Sequence, residues 1–258
     1  MTPQDLLSTL RTQNPLVHCI TNYVAMNVAA NVVLAAGASP AMVHAHEEIA
    51  EFTPICGALT INIGTLSSHW VASMTAAARA ANDASVPWVF DPVAHFISGY
   101  RKEVAQDLLA LRPTILRGNA SEIIAMAGEV GAGKGADSGD SVDAAEGAAR
   151  ALAKSHGCVV AITGPIDFVT DGAQSAKVKG GSEIMSMVTA LGCSQTALMG
   201  AYAASGTAFE AALGTLAHFK VAGSKAAAQA KGPGSFQMHF LDALATTQPD
   251  ELSTVILT

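Results

Sequence analysis

Short apolar segments alternate with longer helical patterns along most of this chain, and that alternation restricts the fold more than any other feature of the sequence. The first apolar segment, residues 16–20, is followed by a helical pattern that extends through Ala36. Further strands are predicted at residues 41–43, 59–63, 88–90, 114–116 and 159–162, with a helix at residues 71–82. Strands that alternate with helices of about ten residues or more form a mostly parallel sheet covered on both faces. The predicted fold is therefore α/β, a single three-layer αβα domain spanning residues 1–258.

The second half of the chain departs from this alternation in two places. Residues 167–170 and 176–178 flank Asp171 and Gly172, a dipeptide typical of tight turns, so a β-hairpin is predicted here. From Cys193 onward the pattern is almost wholly helical. The segment 128–141 is rich in Gly, Asp and Ser and is predicted to be a surface loop.

Charge and composition exclude several functional classes. The formal net charge is −7, whereas a nucleic-acid-binding protein needs a basic surface. The most apolar stretch, residues 24–43, is interrupted by Asn27, Asn31 and Pro40, so no membrane span is predicted. The first residues of the sequence have neither the basic nor the apolar region of a signal peptide, and none is expected.

Cysteine usage and surface composition predict a cytoplasmic oligomer. The four cysteines show no CxxC spacing, which favours free thiols in a reducing compartment. Hydrophobic residues make up 50% of the chain and charged residues only 14%. A surface this apolar favours association with identical subunits.

Polar residues and glycines follow the predicted strands at the points where the strands end. In parallel sheets, ligands bind beyond the carboxyl ends of the strands. One edge is therefore expected to collect Thr21, Asn22, Gly64, Thr65, Asp91, Arg117, Asn119, Thr163 and Gly164. These residues supply the carboxylate, guanidinium, amide and hydroxyl groups that are typical of sites handling phosphate and metal ions.

Residues 128–135 nearly match the phosphate-binding loop G-x-x-x-x-G-K-[ST]. Gly135 replaces the hydroxyl residue that would hold Mg²⁺, and the segment follows a predicted helix at residues 121–127 instead of a strand. The segment is therefore predicted to be a loop without a phosphate-binding role.

Asp91 and Glu122 are candidate ligands of Mg²⁺. Asn119 is a good N-cap residue, and Glu122 completes a capping box, so a purely structural role is also open for this glutamate. At the ligand edge of the sheet the same carboxylate suits Mg²⁺, often through water. Asp91 precedes Pro92 at the end of a strand, where it is the second candidate carboxylate or simply the start of a turn.

Two interpretations are open for Arg117, and two for the pair of His44 and His46. An arginine at the end of a buried strand needs a partner for its charge, and Arg117 either pairs with Asp91 or Glu122 or binds a phosphate. His44 and His46 would share one face of a strand as a possible metal pair. No third ligand is apparent, which favours exposure to solvent or an interface for both histidines.

Gly192 and Cys193 precede an apolar helical segment. The start of a helix presents free N–H groups and a partial positive charge to an anion. The same field is expected to lower the pKa of a thiol in the first turn. Cys193 is therefore either a small buried residue at the helix start or a catalytic base.

Several segments, taken in order, resemble the hydroxyethylthiazole kinase family, which has the ribokinase-like fold. The resemblance runs from Asn14 to Ala245. Its segments are Cys19-Ile20-Thr21-Asn22, Ala36-Gly37-Ala38-Ser39-Pro40-Ala41-Met42, Asn62-Ile63-Gly64-Thr65-Leu66, Asp91-Pro92-Val93, Arg117-Gly118-Asn119-Ala120-Ser121-Glu122, Thr163-Gly164, Thr170-Asp171-Gly172, Gly192-Cys193 and Gly232-Pro233-Gly234-Ser235-Phe236.

The resemblance implies an enzyme that transfers phosphate from ATP to the primary alcohol of 4-methyl-5-(2-hydroxyethyl)thiazole, in thiamine biosynthesis and salvage, with Mg²⁺ as cofactor. Arg117 and Thr163 are the implied ATP contacts. Asp91 and Glu122 are the implied carboxylates on the Mg²⁺ side. Cys193 is the implied catalytic base, at the position where most ribokinase-like enzymes place an aspartate.

The alcohol site implied by the resemblance comprises Asn22, Met42, Ala190 and Gly192. Members of the family form homotrimers in which this site lies between subunits. A homotrimer that binds ATP and a small heterocyclic alcohol, with no nucleic-acid or membrane partner, is thus expected.

Three departures from the family pattern are visible. Residues 189–193 read Thr-Ala-Leu-Gly-Cys where the family usually has Thr-Gly-Thr/Ala-Gly-Cys, and a Cβ at position 190 restricts φ. His95 stands in a run that tends to contain glycine, and Pro165 stands where an acidic residue is common. Another ribokinase-like kinase of a small alcohol, a catalytically impaired thiazole-binding relative and a nucleotide-dependent lyase remain alternatives.

Overall fold

One sheet of nine strands forms the centre of the computed structural model, which describes residues 1–128 and 142–257. The strands are β1 (Leu16–Ile20), β2 (Ser39–Ala41), β3 (Ala58–Asn62), β4 (Trp88–Asp91), β5 (Ile115–Asn119), β6 (Val159–Thr163), β7 (Ile166–Thr170), β8 (Ser175–Lys179) and β9 (Ile256–Leu257). Their order across the sheet is β2-β1-β3-β4-β5-β6-β7-β8-β9. Strands β1 to β6 pair in parallel, and β7, β8 and β9 add to the edge in antiparallel pairs.

Helices cover both faces of this sheet. They are α1 (Pro3–Gln13), α2 (Met26–Ala36), α3 (His46–Phe52), α4 (Ser68–Asp83), α5 (Gly99–Ala110), α6 (Ala120–Met126), α7 (Val142–His156), α8 (Leu191–Ala203), α9 (Ala208–Ala227) and α10 (Pro233–Thr246). One apolar core joins the sheet to α1, α2, α8, α9 and α10, and a second core joins the opposite face to α4, α5, α6 and α7. The α/β fold with a mostly parallel sheet, predicted from the alternation of segments, is confirmed.

Local sequence explains why these elements begin where they do. Every residue of β3 is buried, as expected for a strand covered on both faces. Side chains of Ser67, Ser98 and Asn119 accept hydrogen bonds from the first turns of α4, α5 and α6. On α8, a Cβ at Gly200 would collide with Thr60 of β3, so glycine lets this helix approach the sheet closely.

Most of the predicted strands and the hairpin are present. The pairing of β7 with β8 closes at Asp171 and Gly172, and Gly172 has φ +90°. The strand predicted at residues 41–43 lies two residues earlier, at Ser39–Ala41. The chain then turns towards His18, whose Nε2 lies 2.8 Å from the carbonyl oxygen of Val43. Pro40 is tolerated because β2 is an edge strand.

The C-terminal region from Cys193 onward is almost wholly helical, as predicted, and its one strand within the described ranges lies at the end. A 3₁₀ turn at Pro249–Val255 leads into β9, which pairs with β8. Two residues are too few to show a periodic pattern in the sequence. The extended conformation of Ile256 and Leu257 therefore depends on their pairing with the open edge of β8. Within residues 1–128 and 142–257 no helix is long and apolar enough to cross a bilayer.

Candidate active site at the carboxyl edge of the sheet

Asp91 ends β4 and lies completely buried at the carboxyl edge of the sheet. Its Oδ2 accepts hydrogen bonds from Nδ2 of Asn62 at 2.7 Å and from Oγ1 of Thr196 at 2.7 Å. Its other oxygen, Oδ1, has no hydrogen-bond partner among the described residues. Burial raises the pKa of Asp91, and the neighbouring Arg117 charge opposes that rise.

Arg117 pairs with Asp91 and also reaches the next strand. Its Nη1 lies 3.3 Å from Oδ2 of Asp91, and its Nη2 donates to Oγ1 of Thr163 at 2.7 Å. The same Nη2 lies 3.5 Å from Oε1 of Gln195 on α8. The pairing with Asp91, one of the two interpretations left open by the sequence, is therefore present, and the binding of a phosphate by the same guanidinium stays a prediction.

Cys193 lies in the first turn of α8 and joins the same network through two amides. Its Sγ accepts a hydrogen bond from Nδ2 of Asn22 at 3.2 Å. Nδ2 of Asn22 also donates to Oδ1 of Asn62 at 2.8 Å, and Asn62 in turn donates to Asp91. Backbone N–H groups of residues 24 and 25 donate to Oδ1 of Asn22, which fixes the orientation of that amide.

The expected lowering of the thiol pKa at the helix start was wrong. Burial raises the pKa of Cys193, and the Asp91 carboxylate raises it further. The hydrogen bond from Asn22 and the charge of Arg117 oppose these effects without overcoming them. The field at a helix start is worth only about 0.3–1 kcal/mol. The loss of hydration on burial disfavours the thiolate more strongly.

The turn that precedes Cys193 has an unfavourable backbone conformation at Ala190 and little free space beside Gly192. Ala190 has φ +63°, the left-handed conformation that favours glycine. A Cβ at Gly192 would lie 3.0 Å from Nη2 of Arg117. The departure at position 190 therefore retains the backbone shape that glycine would adopt, at the cost of local strain.

A cavity of about 770 Å³ opens beside this turn. Its walls include Arg117, Thr163, Gly164, Pro165, Asp167, Gly180, Ser182, Glu183, Met185, Ser186, Leu191, Gly192, Gln195, Phe219 and Lys220. Arg117, Thr163 and Gly192, which were selected from the sequence, thus line one concave site. A volume of several hundred Å³ is typical of pockets for small ligands.

Glu122 has the capping geometry that its spacing from Asn119 predicts. Its Oε2 accepts from the N–H of Asn119 at 2.8 Å, and Oε1 accepts from the N–H of Ala94 at 2.9 Å. Burial and the nearby Asp91 carboxylate raise the pKa of Glu122 to about 7. Glu122 is not among the residues that line the cavity. Its carboxylate is nonetheless close enough to Asp91 for the two charges to repel.

Comparison with known proteins shows the family. Residues 7–250 match the model of the hydroxyethylthiazole kinase family. A hydroxyethylthiazole kinase of Roseobacter denitrificans is 76% identical over 256 residues, which are 99% of this chain and 100% of the relative. The chain belongs to the hydroxyethylthiazole kinase family. A second relative with that name, from Cereibacter sphaeroides, is 58% identical over 95% of this chain and 94% of its own.

Solved structures place the chain in the same family and in the ribokinase-like fold. A hydroxyethylthiazole kinase from Pyrococcus horikoshii superposes with a TM-score of 0.92 at 36% identity, covering 99% of this chain and 97% of its own. A ribokinase-like superfamily protein from Enterococcus faecalis has a TM-score of 0.64 at 8% identity, with 93% of each chain covered, and shows likeness of fold alone. The predicted ribokinase-like fold is confirmed.

In this member of the hydroxyethylthiazole kinase family, the residues expected at the alcohol lie near Cys193 or at the rim of the sheet. Asn22 contacts the thiol directly. Met42 is half-buried in the segment after β2 and packs against the larger helical core. Nearby, the exposed ring of Tyr23 lies 4.7 Å from Trp70 between ring centroids.

The remaining sequence candidates have ordinary surroundings. The ring of His44 packs on Trp70, and His46 begins α3, so the two histidines do not share a strand. His95 is buried in the turn after Asp91, with Nδ1 3.3 Å from the carbonyl of Pro92. No group of three potential metal ligands among His, Cys, Asp and Glu occurs in the described ranges. The loop resembling a phosphate-binding motif lies outside them from residue 129 onward.

Reasoning from the sequence missed several polar residues of the site. Asn62 was quoted only as part of a family segment, although its position at the end of β3 placed it at the ligand edge. Thr196 follows Cys193 by one helical turn, a spacing that puts both on one face of α8. Asp167, Gln195 and Lys220 carried no signal beyond a polar residue in an apolar segment.

Proposed function

We propose that this chain transfers the γ-phosphoryl group of ATP to the primary alcohol of 4-methyl-5-(2-hydroxyethyl)thiazole, working as one kinase domain over residues 1–258. The observation that carries the proposal is the position of Arg117, whose guanidinium lies in the cavity wall between Thr163 and the start of α8. A guanidinium, with its paired N–H groups, beside the N-terminus of a helix suits the binding of a polyphosphate.

Arg117 and Thr163 bind the ATP phosphates in this proposal. The guanidinium is held from behind by Asp91, so it is oriented before the nucleotide arrives. Thr163 offers a hydroxyl at the end of β6, and the first turn of α8 at Gly192 adds the partial positive charge of a helix start. In phosphoryl transfer, positioning and neutralisation of charge provide most of the catalysis.

Asp91 and Glu122 would hold Mg²⁺ on the phosphate side. Two features of their surroundings fit a cation: the buried Oδ1 of Asp91 has no partner among the described residues, and the Asp91 carboxylate raises the pKa of Glu122. Mg²⁺ bound there, through water where needed, would neutralise phosphate charge. Because both oxygens of Glu122 accept backbone N–H groups, Asp91 is the better placed of the two.

Cys193 accepts the proton of the substrate hydroxyl in this proposal. The N–H that Asn22 donates to Sγ stabilises the thiolate, which is the form of Cys193 that can accept this proton and which becomes the thiol on accepting it. Ala190, Gly192, Asn22 and Met42 contribute the alcohol side of the site. The thiazole would lie beyond Cys193, away from the nucleotide cavity.

We further propose a cytoplasmic homotrimer with the alcohol site between subunits. The exposed apolar side chains of Tyr23, Val24 and Leu34, which are 66%, 58% and 58% exposed, lie on the segment that follows Asn22. Burying them against another subunit would remove apolar surface from water beside the site. Sedimentation equilibrium tests the stoichiometry.

One reaction tests the proposed activity. The protein is incubated with ATP, Mg²⁺ and hydroxyethylthiazole, and the phosphomonoester is identified by mass. Cys193→Ala should lower kcat by about 10²- to 10⁴-fold, the usual range for a positioned base. Rates close to the parent's would remove Cys193 from the mechanism. No phosphomonoester from the parent protein would reject the proposed reaction.

The strained turn at Ala190 motivates a second candidate, a relative that binds the thiazole with little turnover. Calorimetric binding of hydroxyethylthiazole without product would identify this case. A panel of pyrimidine and pyridoxal alcohols with ATP would identify a kinase of another small alcohol.

A further inference from the structure

Lys220 is a buried charge on a helix face that is otherwise apolar. It lies in α9, beside Phe219 and Val221, and its side chain is only 8% exposed. Its Nζ lies 3.2 Å from Oδ1 of Asp167, whose side chain is 2% exposed. A buried ion pair is rarely worth more to stability than apolar side chains of the same volume. Stability alone therefore does not account for this pair.

The acceptors of Lys220 lie in the short turn between β6 and β7 and at the start of β7. Its Nζ donates to the carbonyl oxygen of Gly164 at 2.6 Å and to that of Pro165 at 3.1 Å. Asp167 completes the arrangement, because its Oδ1 accepts both from Lys220 and from the N–H of Gly164 at 2.9 Å. The three N–H groups of the ammonium are thus matched by three acceptors, two in the turn and one at the start of β7.

The sequence of the turn explains why it needs an external donor. Pro165 has no N–H, so the turn cannot be closed by a backbone hydrogen bond from that residue. The turn begins at Thr163, whose hydroxyl receives the Nη2 hydrogen bond of Arg117. Thr163, Gly164, Pro165, Asp167 and Lys220 all line the 770 Å³ cavity.

We propose that Lys220 and Asp167 are positioning residues for the nucleotide: together they hold the turn of Thr163, Gly164 and Pro165 so that the Thr163 hydroxyl and Arg117 face the phosphates. The inference rests on the proposed function in one respect, that the cavity binds ATP. Lys220 acts through the turn and not by contact with the phosphates, because its N–H groups are already taken.

The test compares Lys220→Met, Lys220→Arg and Asp167→Asn with the parent protein. The readouts are the Kd of a fluorescent N-methylanthraniloyl ADP and the separate KM values for ATP and hydroxyethylthiazole. Lys220→Met and Asp167→Asn should each raise the Kd and the KM for ATP about tenfold, the usual effect of losing a charged hydrogen bond. The KM for the alcohol should change less than about twofold. Lys220→Arg, which keeps the charge, should recover part of the loss.

Lys225→Met is the matched control. Lys225 lies later in the same helix and pairs with Glu251 at 3.0 Å, with both side chains about one-third exposed and neither in the cavity wall. This control should leave the Kd for the nucleotide unchanged.

Three outcomes would overturn the proposal. Equal increases in both KM values, or an unchanged Kd with a lowered melting temperature, would mean that the ion pair of Lys220 and Asp167 has a purely structural role. Parent-like or tighter nucleotide binding by Asp167→Asn would mean that a freed Lys220 contacts the phosphates directly. A parent protein that binds no nucleotide rejects this proposal and the proposed kinase alike, whereas nucleotide binding without phosphorylation of the thiazole rejects only the substrate.

Discussion

The guanidinium of Arg117 lies against the backbone of Gly192, close enough that a Cβ at residue 192 would be 3.0 Å from Nη2 and 3.2 Å from Nη1. The end of β5 and the start of α8 are therefore in direct contact through one side chain. Glycine is required here for space, since Arg117 is held from the other side by Asp91 and Thr163 and cannot withdraw.

Gly192→Ala should displace Arg117 and raise the KM for ATP. A shift of about 1 Å in a positioning group costs as much as 10²-fold in rate, so kcat/KM for ATP should fall by about tenfold or more. Steady-state kinetics with ATP varied at saturating alcohol measures this effect. Gly147→Ala is the control, because a Cβ at Gly147 on α7 meets nothing within 4 Å. That control should keep full activity and gain about 0.5–1 kcal/mol of stability.

Ala190→Gly should stabilise the protein by about 1 kcal/mol, because φ at residue 190 is +63° and glycine adopts this conformation without strain. The midpoint of urea unfolding measures the change. Ala204→Gly, at the other end of α8 with φ −65°, should lower stability by about 0.5–1 kcal/mol instead. A destabilised Ala190→Gly protein would show that strain at this turn is relieved by other contacts.

The thiol of Cys193 should react slowly at neutral pH. Burial and the Asp91 carboxylate raise its pKa, so little thiolate is present below the usual thiol range. The rate of alkylation by iodoacetamide should still be rising with pH at about 8.5, the ordinary pKa of a free thiol. Mass spectrometry of the peptide that contains Cys193 follows the reaction. A plateau well below that pH would contradict the prediction.

The same alkylation should depend on Asn22. Asn22→Ala removes the N–H that Sγ accepts, so the thiolate loses stabilisation and the pKa should rise further. The alkylation rate at a fixed pH near 8 should then fall below that of the parent protein, in spite of the space that alanine opens. A faster reaction would indicate that access controls reactivity at this thiol.

Glu122 should make stability depend on pH. Its pKa is about 7 in the folded chain against 4.5 for an ordinary glutamate, so between these values the folded state binds more protons than the unfolded state. The free energy of unfolding contributed by Glu122 therefore falls as pH rises from 4.5 to 7 and is constant on either side of this window. Glu122→Gln cannot titrate, and its stability relative to the parent should rise across this window.

Glu251→Gln is the matched control for that measurement. Glu251 also completes a capping box, with Gln248, but its side chain is about one-third exposed and forms an ion pair with Lys225. Although burial acts to raise the pKa of Glu251, its hydrogen bonds with Gln248 and Lys225 lower it. The stability lost in Glu251→Gln should therefore be largest at neutral pH and disappear in acid. This pH dependence is opposite to the one expected for Glu122→Gln.

Much of the site was predictable because parallel strands deliver the residues that follow them to one edge. Asp91 and Thr163 end their strands and Arg117 follows the apolar start of β5, and the pairing of β4, β5 and β6 then makes these residues neighbours. The capping box of Asn119 and Glu122 was predictable for a different reason, since its partners lie within one helical turn.

Other features depend on contacts between distant segments. Lys220 approaches Asp167 only because α9 crosses the end of β6 and β7, and nothing local to either residue indicates the pair. The sign of the Cys193 pKa shift was also missed, because burial depends on how α8 packs on the sheet and not on its position at a helix start.

The sequence alone determined the α/β class and the succession of strands and helices along the chain, because these follow from local periodicity and turn residues. It also determined the family, because the family motifs occur in order along the chain. Tertiary structure alone decided the partners of Arg117, the protonation tendency of Cys193 and Glu122, and the contact of Lys220 with the β6–β7 turn. The physical reason is that desolvation and charge pairing depend on what surrounds a group in space, and most of those neighbours are far away along the chain.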